Sequence, residues 1–155
     1  MADLLVKLYE LPREETALPG VTVRRAMAYE KHLVLGWVRS NFGDGWASEC
    51  DIAFGNRPLS CHVAVESGEI VGFACYDATC RGFFGPVGVK DRVRRRGIGR
   101  ALLLSSLHAM AESGYGYAIV GGAGEIGFYV DTVGAIEIPG STPGIYRDRL
   151  KVPHP

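Results

Sequence analysis

The segment Arg94-Arg95-Arg96-Gly97-Ile98-Gly99-Arg100-Ala101 decides how the rest of this 155-residue chain is interpreted. It follows a short apolar run, Val87-Gly88-Val89, and precedes an apolar segment with helical periodicity at residues 102–111. A strand, a basic glycine turn and a helix are therefore predicted. Backbone N–H groups in the first turn of a helix lack partners inside it, and the helix dipole favours negative charge there. Because glycine has no Cβ, a ligand can approach this main chain closely, and the segment predicts a site for a pyrophosphate group.

Two common nucleotide-binding motifs do not fit this segment. The P-loop pattern of Gly, four residues and then Gly-Lys-Ser/Thr is absent. The dinucleotide fingerprint needs a third glycine three residues after Gly99, where this chain has Leu102. A surface turn carrying solvated arginines remains the structural alternative.

The remaining pattern, Arg-x-x-Gly-x-Gly at Arg94, Gly97 and Gly99, resembles the acetyl-CoA-binding motif of the GNAT superfamily of N-acetyltransferases. In that family the pantetheine arm of acetyl-CoA lies between two diverging parallel strands and the pyrophosphate lies on the amides that begin the following helix. The resemblance therefore implies a coenzyme site made of Val87, Gly88, Val89, Arg94, Arg95, Arg96, Gly97, Ile98, Gly99 and Arg100.

Composition predicts one globular domain over residues 1–155, in which residues 1–20 form an extra N-terminal strand and connector. Apolar residues make up 47% of the chain and charged residues 22%, which is ordinary for a soluble domain. The formal net charge is zero, which argues against a nucleic-acid partner. No apolar segment reaches membrane-spanning length and no secretory signal is apparent, so no membrane partner and a cytoplasmic location are expected.

The four cysteines predict no metal site. Cys50, Cys61, Cys75 and Cys80 include no pair with Cys-x-x-Cys spacing. The favoured interpretation is buried or half-buried thiols in a reducing compartment.

Apolar patterns and turn residues predict the element order β-α-α-β-β-β-α-β-α-β-β, with a possible extra edge strand at residues 4–11. Gly85-Pro86 falls inside a predicted strand, so a bulge or an unpaired edge is expected there. The GNAT fold has this element order. The resemblance implies an α+β, α/β/α sandwich whose mixed, mostly antiparallel sheet contains a splayed parallel pair. The predicted strands are residues 21–25, 60–65, 70–76, 83–89, 117–120, 135–138 and 145–149, and the predicted helices are residues 27–40, 46–54, 99–113 and 125–132.

The resemblance also implies the chemistry. Acetyl transfer to a primary amine needs a neutral amine, a donor for the developing oxyanion and a proton for the departing thiolate. The stretch Gly127-Phe128-Tyr129-Val130 followed by Gly134 matches the family's tyrosine region, so Tyr129 is the expected proton donor, with core packing as its alternative role. The family's usual asparagine seven residues earlier is replaced by Gly122. The general base stays open among Glu125, Asp77, His62, Asp44, Glu49 and Asp51.

The acceptor region is predicted at residues 42–54 and 139–144. Phe42, Trp46 and Phe54 are candidates for an apolar pocket, with Asp44 or Glu49 attracting an ammonium group, although core packing is favoured for at least two of the aromatics. The expected partners are a small-molecule or peptide amine and, as in many family members, a second copy of the chain. The alternatives are a non-enzymatic acyl-CoA sensor and a small RNA-binding protein.

Overall fold

A mixed sheet covered by helices on both faces organises the chain. The computed structural model describes residues 1–14, 18–90 and 96–153. Within these ranges the sheet has the strand order β2-β3-β4-β5-β6-β1-β7. The strands are β1 Leu4–Lys7, β2 Val21–Arg25, β3 Cys61–Glu66, β4 Glu69–Tyr76, β5 Phe83–Val89, β6 Tyr117–Val120 and β7 Ile136–Glu137. The helices are α1 Lys31–Phe42, α2 Asp44–Gly55, α3 Ile98–Glu112 and α4 Ile126–Val133.

The predicted α+β sandwich is confirmed. Strands β2 to β5 form an antiparallel meander, β6 returns parallel to β5, and α3 is the crossover helix between them. The leucine-rich side of α3 and the inner side of α4 share one core with the sheet. Helices α1 and α2 cover the opposite face over a second core. No helix among the described residues combines the length and apolar character needed to cross a membrane.

The edge strand expected at residues 4–11 is instead an interior strand of the sheet. Strand β1 lies between β6 and β7 and is antiparallel to both. Leu4 and Val6 have no exposed surface, whereas Leu5 and Lys7 are half-buried, so β1 buries mainly one of its faces. The chain leaves the sheet in a 3-10 turn at Leu8–Glu10, which ends the strand earlier than predicted.

The expected final strand at residues 145–149 is wrong. A 3-10 turn occupies Gly144–Tyr146 instead. Gly144 and Asp148 have φ values of 57° and 59°, and left-handed residues interrupt an extended chain. The place beside β6 that a last strand would take is filled by β1.

The other differences are small shifts at the ends of helices and strands, such as β7 at Ile136–Glu137 where residues 135–138 were predicted. The first predicted helix, residues 27–40, begins as a 3-10 turn at Ala28–Glu30 and becomes α-helical at α1. The bidentate pair between Arg24 and Glu30, at 2.8 and 2.7 Å, ties this turn to β2. These hydrogen bonds from Arg24 lower the pKa of Glu30 to about 2.

Candidate functional site

Strand β5 is paired on both sides only where it begins. Its parallel register with β6 consists of Phe83 with Ile119 and Phe84 with Val120. Strand β6 ends at Val120, whereas β5 continues to Val89. The two strands therefore part after Phe84 and leave a gap beside the second half of β5.

A bulge at the point of divergence turns the polar groups of β5 towards this gap. Before the bulge, the amide of Asp77 bonds to the carbonyl of Phe83; after it, the amide of Lys90 bonds to the carbonyl of Val71. The register against β4 shifts by one residue between these bonds, at Gly85-Pro86, as predicted. Main-chain groups alternate in direction along a strand. Val87 and Val89 therefore direct their N–H and C=O groups away from β4, into the gap.

The start of α3 lies next to this half of β5. Gly97 is the N-terminal cap residue, with a left-handed φ of 82° that favours glycine. The first intrahelical bond runs from the amide of Ala101 to the carbonyl of Gly97, so the amides of Ile98 and Gly99 precede the helical ladder. A Cβ on Gly99 would lie 3.8 Å from Cγ2 of Val89. The helix terminus and the gap are therefore adjacent.

Two arginines of the motif, Arg96 and Arg100, lie among the described residues. Arg96 donates to Glu66 Oε2 at 2.7 Å and to the carbonyl of Pro19 at 3.4 Å, so its guanidinium is directed at the end of β3. Arg100 lies in the first turn of α3. Arg94 and Arg95 lie outside the described residues.

Tyr129 lies on α4 at the closed end of the gap. Its ring is 7% exposed and meets the ring of Phe84 edge-on, with centroids 6.3 Å apart. Burial, followed by the charge of Glu125, raises the pKa of this phenol to about 12. The hydroxyl forms no hydrogen bond with another described residue. Tyr129 is therefore a neutral phenol at physiological pH, next to the last residue of β5 that pairs with β6.

Tyr146 is a second tyrosine in this region, and the sequence analysis did not single it out. A Cβ on Gly121, just after β6, would lie 2.7 Å from the Tyr146 hydroxyl and 2.9 Å from the Phe83 ring. Burial and then the charge of Glu49 raise the pKa of Tyr146. The prediction of a strand at residues 145–149 hid the role of Tyr146. A residue of a final strand would not be expected to fold back onto the end of β6, whereas the 3-10 turn places Tyr146 there.

The loop between β6 and α4 is fixed by the N-terminal strand. The amide of Gly122 donates to Asp3 Oδ1 at 2.8 Å, and the amide of Asp3 donates to Ser141 Oγ at 2.8 Å. The backbone amide of Gly122 is thus held by the carboxylate of Asp3, the residue that precedes β1.

An aromatic cluster covers β5 on the α1–α2 face. Phe42 stacks on Trp46 with centroids 5.1 Å apart, and both rings contact Phe73. A Cβ on Gly88 would lie only 2.4 Å from Cζ of Phe42, so the missing side chain at Gly88 makes room for this ring. Phe54 is 6% exposed in the core under α2. Of the three aromatic residues predicted to line a pocket, Phe42 and Trp46 therefore meet next to β5, the strand that borders the gap, whereas Phe54 packs in the core.

A cavity of about 480 Å³ lies on the same face, between α1 and the strands β3 and β4. Its apolar wall includes Val34, Trp37 and Ile70, and Lys90 lines it at the end of β5. The indole N–H of Trp37 is buried and has no acceptor among the described residues. The cavity thus combines apolar surface with the charged side chains of Arg24, Glu30, Glu69 and Lys90, on the side where Phe42 and Trp46 lie.

The structure narrows the candidate bases. His62 lies under α3, 3.4 Å from Ser106 Oγ, and burial followed by the charge of Arg25 lowers its pKa to about 4. Asp77 accepts from the Gly82 amide and the Tyr115 hydroxyl, so it closes the loop before β5. These two groups have structural roles.

The remaining acids lie at the helix surfaces. Asp44 pairs with Arg39 and Asp51 pairs with Lys31, and both carboxylates are mainly exposed. Glu125 is the residue before the first turn of α4, and its charge raises the pKa of Tyr129. Glu49 accepts a hydrogen bond of 2.6 Å from Thr79 Oγ1, and its charge contributes to the raised pKa of Tyr146. Glu49 and Glu125 are therefore the candidates that the fold brings close to the two tyrosines.

Comparison with solved structures supports the same architecture. A GCN5-related N-acetyltransferase from Sphaerobacter thermophilus superposes with a TM-score of 0.72 and 22% identity, over 88% of this chain and 48% of that one. A GCN5-related glucosamine N-acetyltransferase region of a fungal multi-domain GH3 β-N-acetylglucosaminidase gives 0.70 and 15%, over 88% and 19%. A GNAT family N-acetyltransferase from Escherichia coli, solved in complex with CoA, gives 0.51 and 18%, over 67% and 63%. This chain thus spans less than two thirds of each of these solved chains.

Sequence comparison is more specific about the family. No curated protein shows a significant match to the chain. The model of the acetyltransferase (GNAT) family matches residues 27–134, from the turn before α1 to the end of α4, which is more than half of the chain. With the parallel pair β5–β6 and the glycine turn at α3, this match shows that the chain belongs to the GNAT acetyltransferase family.

Proposed function

We propose that this chain is an N-acetyltransferase that moves an acetyl group from acetyl-CoA to a primary amine by direct transfer in a ternary complex. The observation that carries the proposal is the gap beside β5, into which Val87 and Val89 direct their main-chain groups next to the first turn of α3. Unpaired main-chain groups favour a ligand that supplies the missing hydrogen bonds. The amides of a pantetheine arm match that need.

The coenzyme would lie along β5 with its pyrophosphate on the start of α3. The amides of Ile98 and Gly99 donate to phosphate oxygens, and the helix dipole stabilises the negative charge. Because Arg96 is paired with Glu66, its contribution comes from the main chain. Arg94, Arg95 and Arg100 add positive charge to the same segment.

The reaction forms a C–N bond and breaks the thioester C–S bond. The neutral amine attacks the carbonyl carbon, the amide of Val89 donates to the developing oxyanion, and collapse of the intermediate expels the CoA thiolate. The ammonium proton passes to solvent, and the thiolate takes up a proton from solvent. Tyr129 assists the thiolate by hydrogen bonding. Full proton transfer from a phenol of pKa about 12 to a thiolate, whose ordinary pKa is about 8.5, would be unfavourable by roughly 3 to 4 pKa units.

The acceptor would enter from the α1–α2 face. Phe42 and Trp46 supply an apolar wall, and Glu49 supplies a carboxylate that attracts an ammonium group. Strand β5 has no acidic residue, so deprotonation of the amine is assigned to water. The expected acceptors are small-molecule or peptide amines.

An assay of CoA release across a panel of amines tests the proposal. Acetyl-CoA is incubated with the chain and with small amines, aminoglycosides or peptide N-termini, and free CoA is measured by chromatography, because the exposed Cys80 would react with thiol reagents. CoA release that depends on one class of amine supports the proposal. Binding of acetyl-CoA without turnover of any amine would indicate a sensor instead, and no binding at all would overturn both.

A further inference from the structure

Three of the four cysteines meet in the core between α2 and the sheet. Cys50 comes from α2, Cys61 begins β3 and Cys75 lies near the end of β4. All three have no exposed surface, whereas Cys80 is exposed. Their Sγ atoms lie within 4.8 Å of one another. We call these residues the thiol cluster.

The cluster is built by strand register. Cys61 and Cys75 are directly opposite each other on β3 and β4. The adjacent pair, Ser60 and Tyr76, is joined by a main-chain hydrogen bond of 3.0 Å. Cys61 and Cys75 therefore form a non-hydrogen-bonded pair, in which facing side chains come closest. Cys50 completes the triangle from α2, with its Sγ 3.9 Å from that of Cys61.

These separations fit three sulfur ligands of one ion. An ion bonded to three sulfurs at about 2.3 Å, the usual metal–thiolate distance, places those sulfurs at most about 4.0 Å apart, and closer together when the ion lies above their plane. The 3.9 Å between Cys50 and Cys61 lies at this upper limit, and small side-chain rotations draw the three sulfurs together around an ion above their plane. Thiolate ligands select soft ions.

The surroundings of the cluster decide the charge that it can hold. Its neighbours are apolar and include Val38, Ala53 and Phe73. Within the described chain, the two carboxylates whose charge reaches the thiols, Asp51 at Cys50 and Glu30 at Cys61, are each paired with a cation, Lys31 and Arg24. Three thiolates around a monovalent or divalent ion leave a net negative charge, which is costly to bury without a cation. Around a trivalent ion the complex is neutral.

We propose that Cys50, Cys61 and Cys75 form a three-sulfur binding site for a trivalent thiophilic metalloid of the arsenite class. The binding step is a condensation, in which As(OH)₃ and three thiols give As(SCys)₃ and three molecules of water. Three S–H bonds and three As–O bonds are replaced by three As–S bonds and three O–H bonds, and no atom is oxidised or reduced. Because the sulfurs are buried, entry requires α2 to open transiently from the sheet.

The proposal is tested by refolding the reduced full-length chain with one equivalent of sodium arsenite. Native mass spectrometry is expected to show one arsenic atom in place of three hydrogens in each chain. X-ray absorption at the arsenic edge is expected to show three sulfur neighbours and no oxygen. A coordination shell containing oxygen, or no arsenic retained after refolding, would overturn the proposal.

Single substitutions locate the site, with Cys80 as the matched control. We expect Cys50→Ser, Cys61→Ser and Cys75→Ser each to weaken arsenite binding by roughly 100-fold or more, because one tethered ligand is lost. Cys80→Ser should bind arsenite as the unmodified chain does. Circular dichroism shows which variants fold, and the coordination number of the unmodified chain remains decisive if a core variant does not. Tighter binding of Cd²⁺ or Cu⁺ than of arsenite would refute the charge argument.

Discussion

The two faces of the central sheet are covered by different chemistry. On the α3 face the cover is aliphatic: Leu102, Leu103, Leu104, Leu107 and Met110 have no exposed surface. On the α1–α2 face it is aromatic and sulfur-rich, with Trp37, Phe42, Trp46 and the thiol cluster over β3, β4 and β5. Packing on the α3 face holds α3, which begins at the glycine turn, against the sheet. The α1–α2 face brings half-buried rings to the gap strand, on the side where an acceptor would enter.

Two glycines on neighbouring strands show how closely each face is packed. A Cβ on Gly72 would lie 2.9 Å from Cδ1 of Leu102 on α3, and a Cβ on Gly88 would lie 2.4 Å from the Phe42 ring on α1. Each glycine lets a helix approach its own face. At these two positions a helix side chain therefore packs directly on the backbone of the sheet, from α3 on one face and from α1 on the other.

The largest effect is expected at the start of α3. We expect Gly99→Phe to weaken CoA binding by more than about 100-fold, because the ring blocks amides whose charge-assisted hydrogen bonds are worth roughly 3 to 6 kcal/mol together. Its Cβ meets only an ordinary contact at 3.8 Å from Val89, so the fold should persist. Isothermal titration calorimetry measures the affinity.

Gly116→Phe is the matched control for that substitution. A Cβ at Gly116 meets no atom within 4 Å, and the residue lies beyond the other end of α3. CoA affinity should be unchanged there. An unchanged affinity in Gly99→Phe would remove the start of α3 from the coenzyme site.

The next effect concerns the buried histidine on the α3 face. Burial, with the charge of Arg25, lowers the pKa of His62 from 6.5 to about 4, so the folded state favours the neutral ring. The unfolded state takes up the proton first as the pH falls, and the folded state loses stability from about pH 6.5 down through pH 4. The loss amounts to about 3 kcal/mol.

His62→Asn should remove this contribution to the pH dependence. The measurement is the free energy of unfolding in urea at pH 7 and at pH 4.5, in the unmodified chain and in the variant. His32→Asn, at an exposed position, serves as the control. If the variant loses as much stability on acidification as the unmodified chain, His62 is not the group responsible.

A smaller effect is expected when one methyl group is added to each face of the sheet, and it compares how tightly the two faces are packed. We expect Gly88→Ala to lower the free energy of unfolding by about 1 to 3 kcal/mol, because the Phe42 ring is held by three aromatic neighbours. Gly72→Ala should cost less, because the Cδ1 methyl of Leu102 can move more readily. Urea unfolding compares the two, and Phe42→Leu should relieve the cost of Gly88→Ala. Equal costs without such relief would show that the two faces are equally rigid.

The smallest effect is expected for the tyrosine beside Phe84. If Tyr129 donates one hydrogen bond to the leaving thiolate, Tyr129→Phe should lower kcat by roughly tenfold, because such a bond is worth about 1.5 kcal/mol. CoA affinity should change little. Steady-state kinetics and calorimetry separate these quantities, and an unchanged kcat would leave Tyr129 with a packing role only.

Local patterns predicted the strands that frame the gap. The expected bounds of β5 and β6 agree with the structure, because short apolar runs between glycines and polar turns have few alternatives. The bulge at Gly85-Pro86 was also predictable, since proline cannot donate to a strand ladder. These features depend on neighbours along the chain.

Features that depend on distant pairing could not be predicted in the same way. Periodicity indicates that Leu4 is buried, but not that it pairs with Val120. The return of Tyr146 over β6 depends on that same pairing, which removes the need for a further strand. Spacing rules for cysteine detect ligands on one loop, whereas Cys50, Cys61 and Cys75 meet only after α2 packs on the sheet. The coenzyme-binding roles of residues 87–89 and 94–100 and the catalytic role of Tyr129 stay predictions.

The interior position of β1 also has a consequence for the order of assembly. Its partners, β6 and β7, begin more than a hundred residues later in the chain. During synthesis, β1 is made before both of these partners, so its hydrogen bonds can form only after β6 and β7 have followed. Closure of the sheet at β1 is thus a late event that joins segments far apart in the sequence. The Asp3 carboxylate reaches the Gly122 amide only when that event is complete, so the loop after β6 acquires its final shape last.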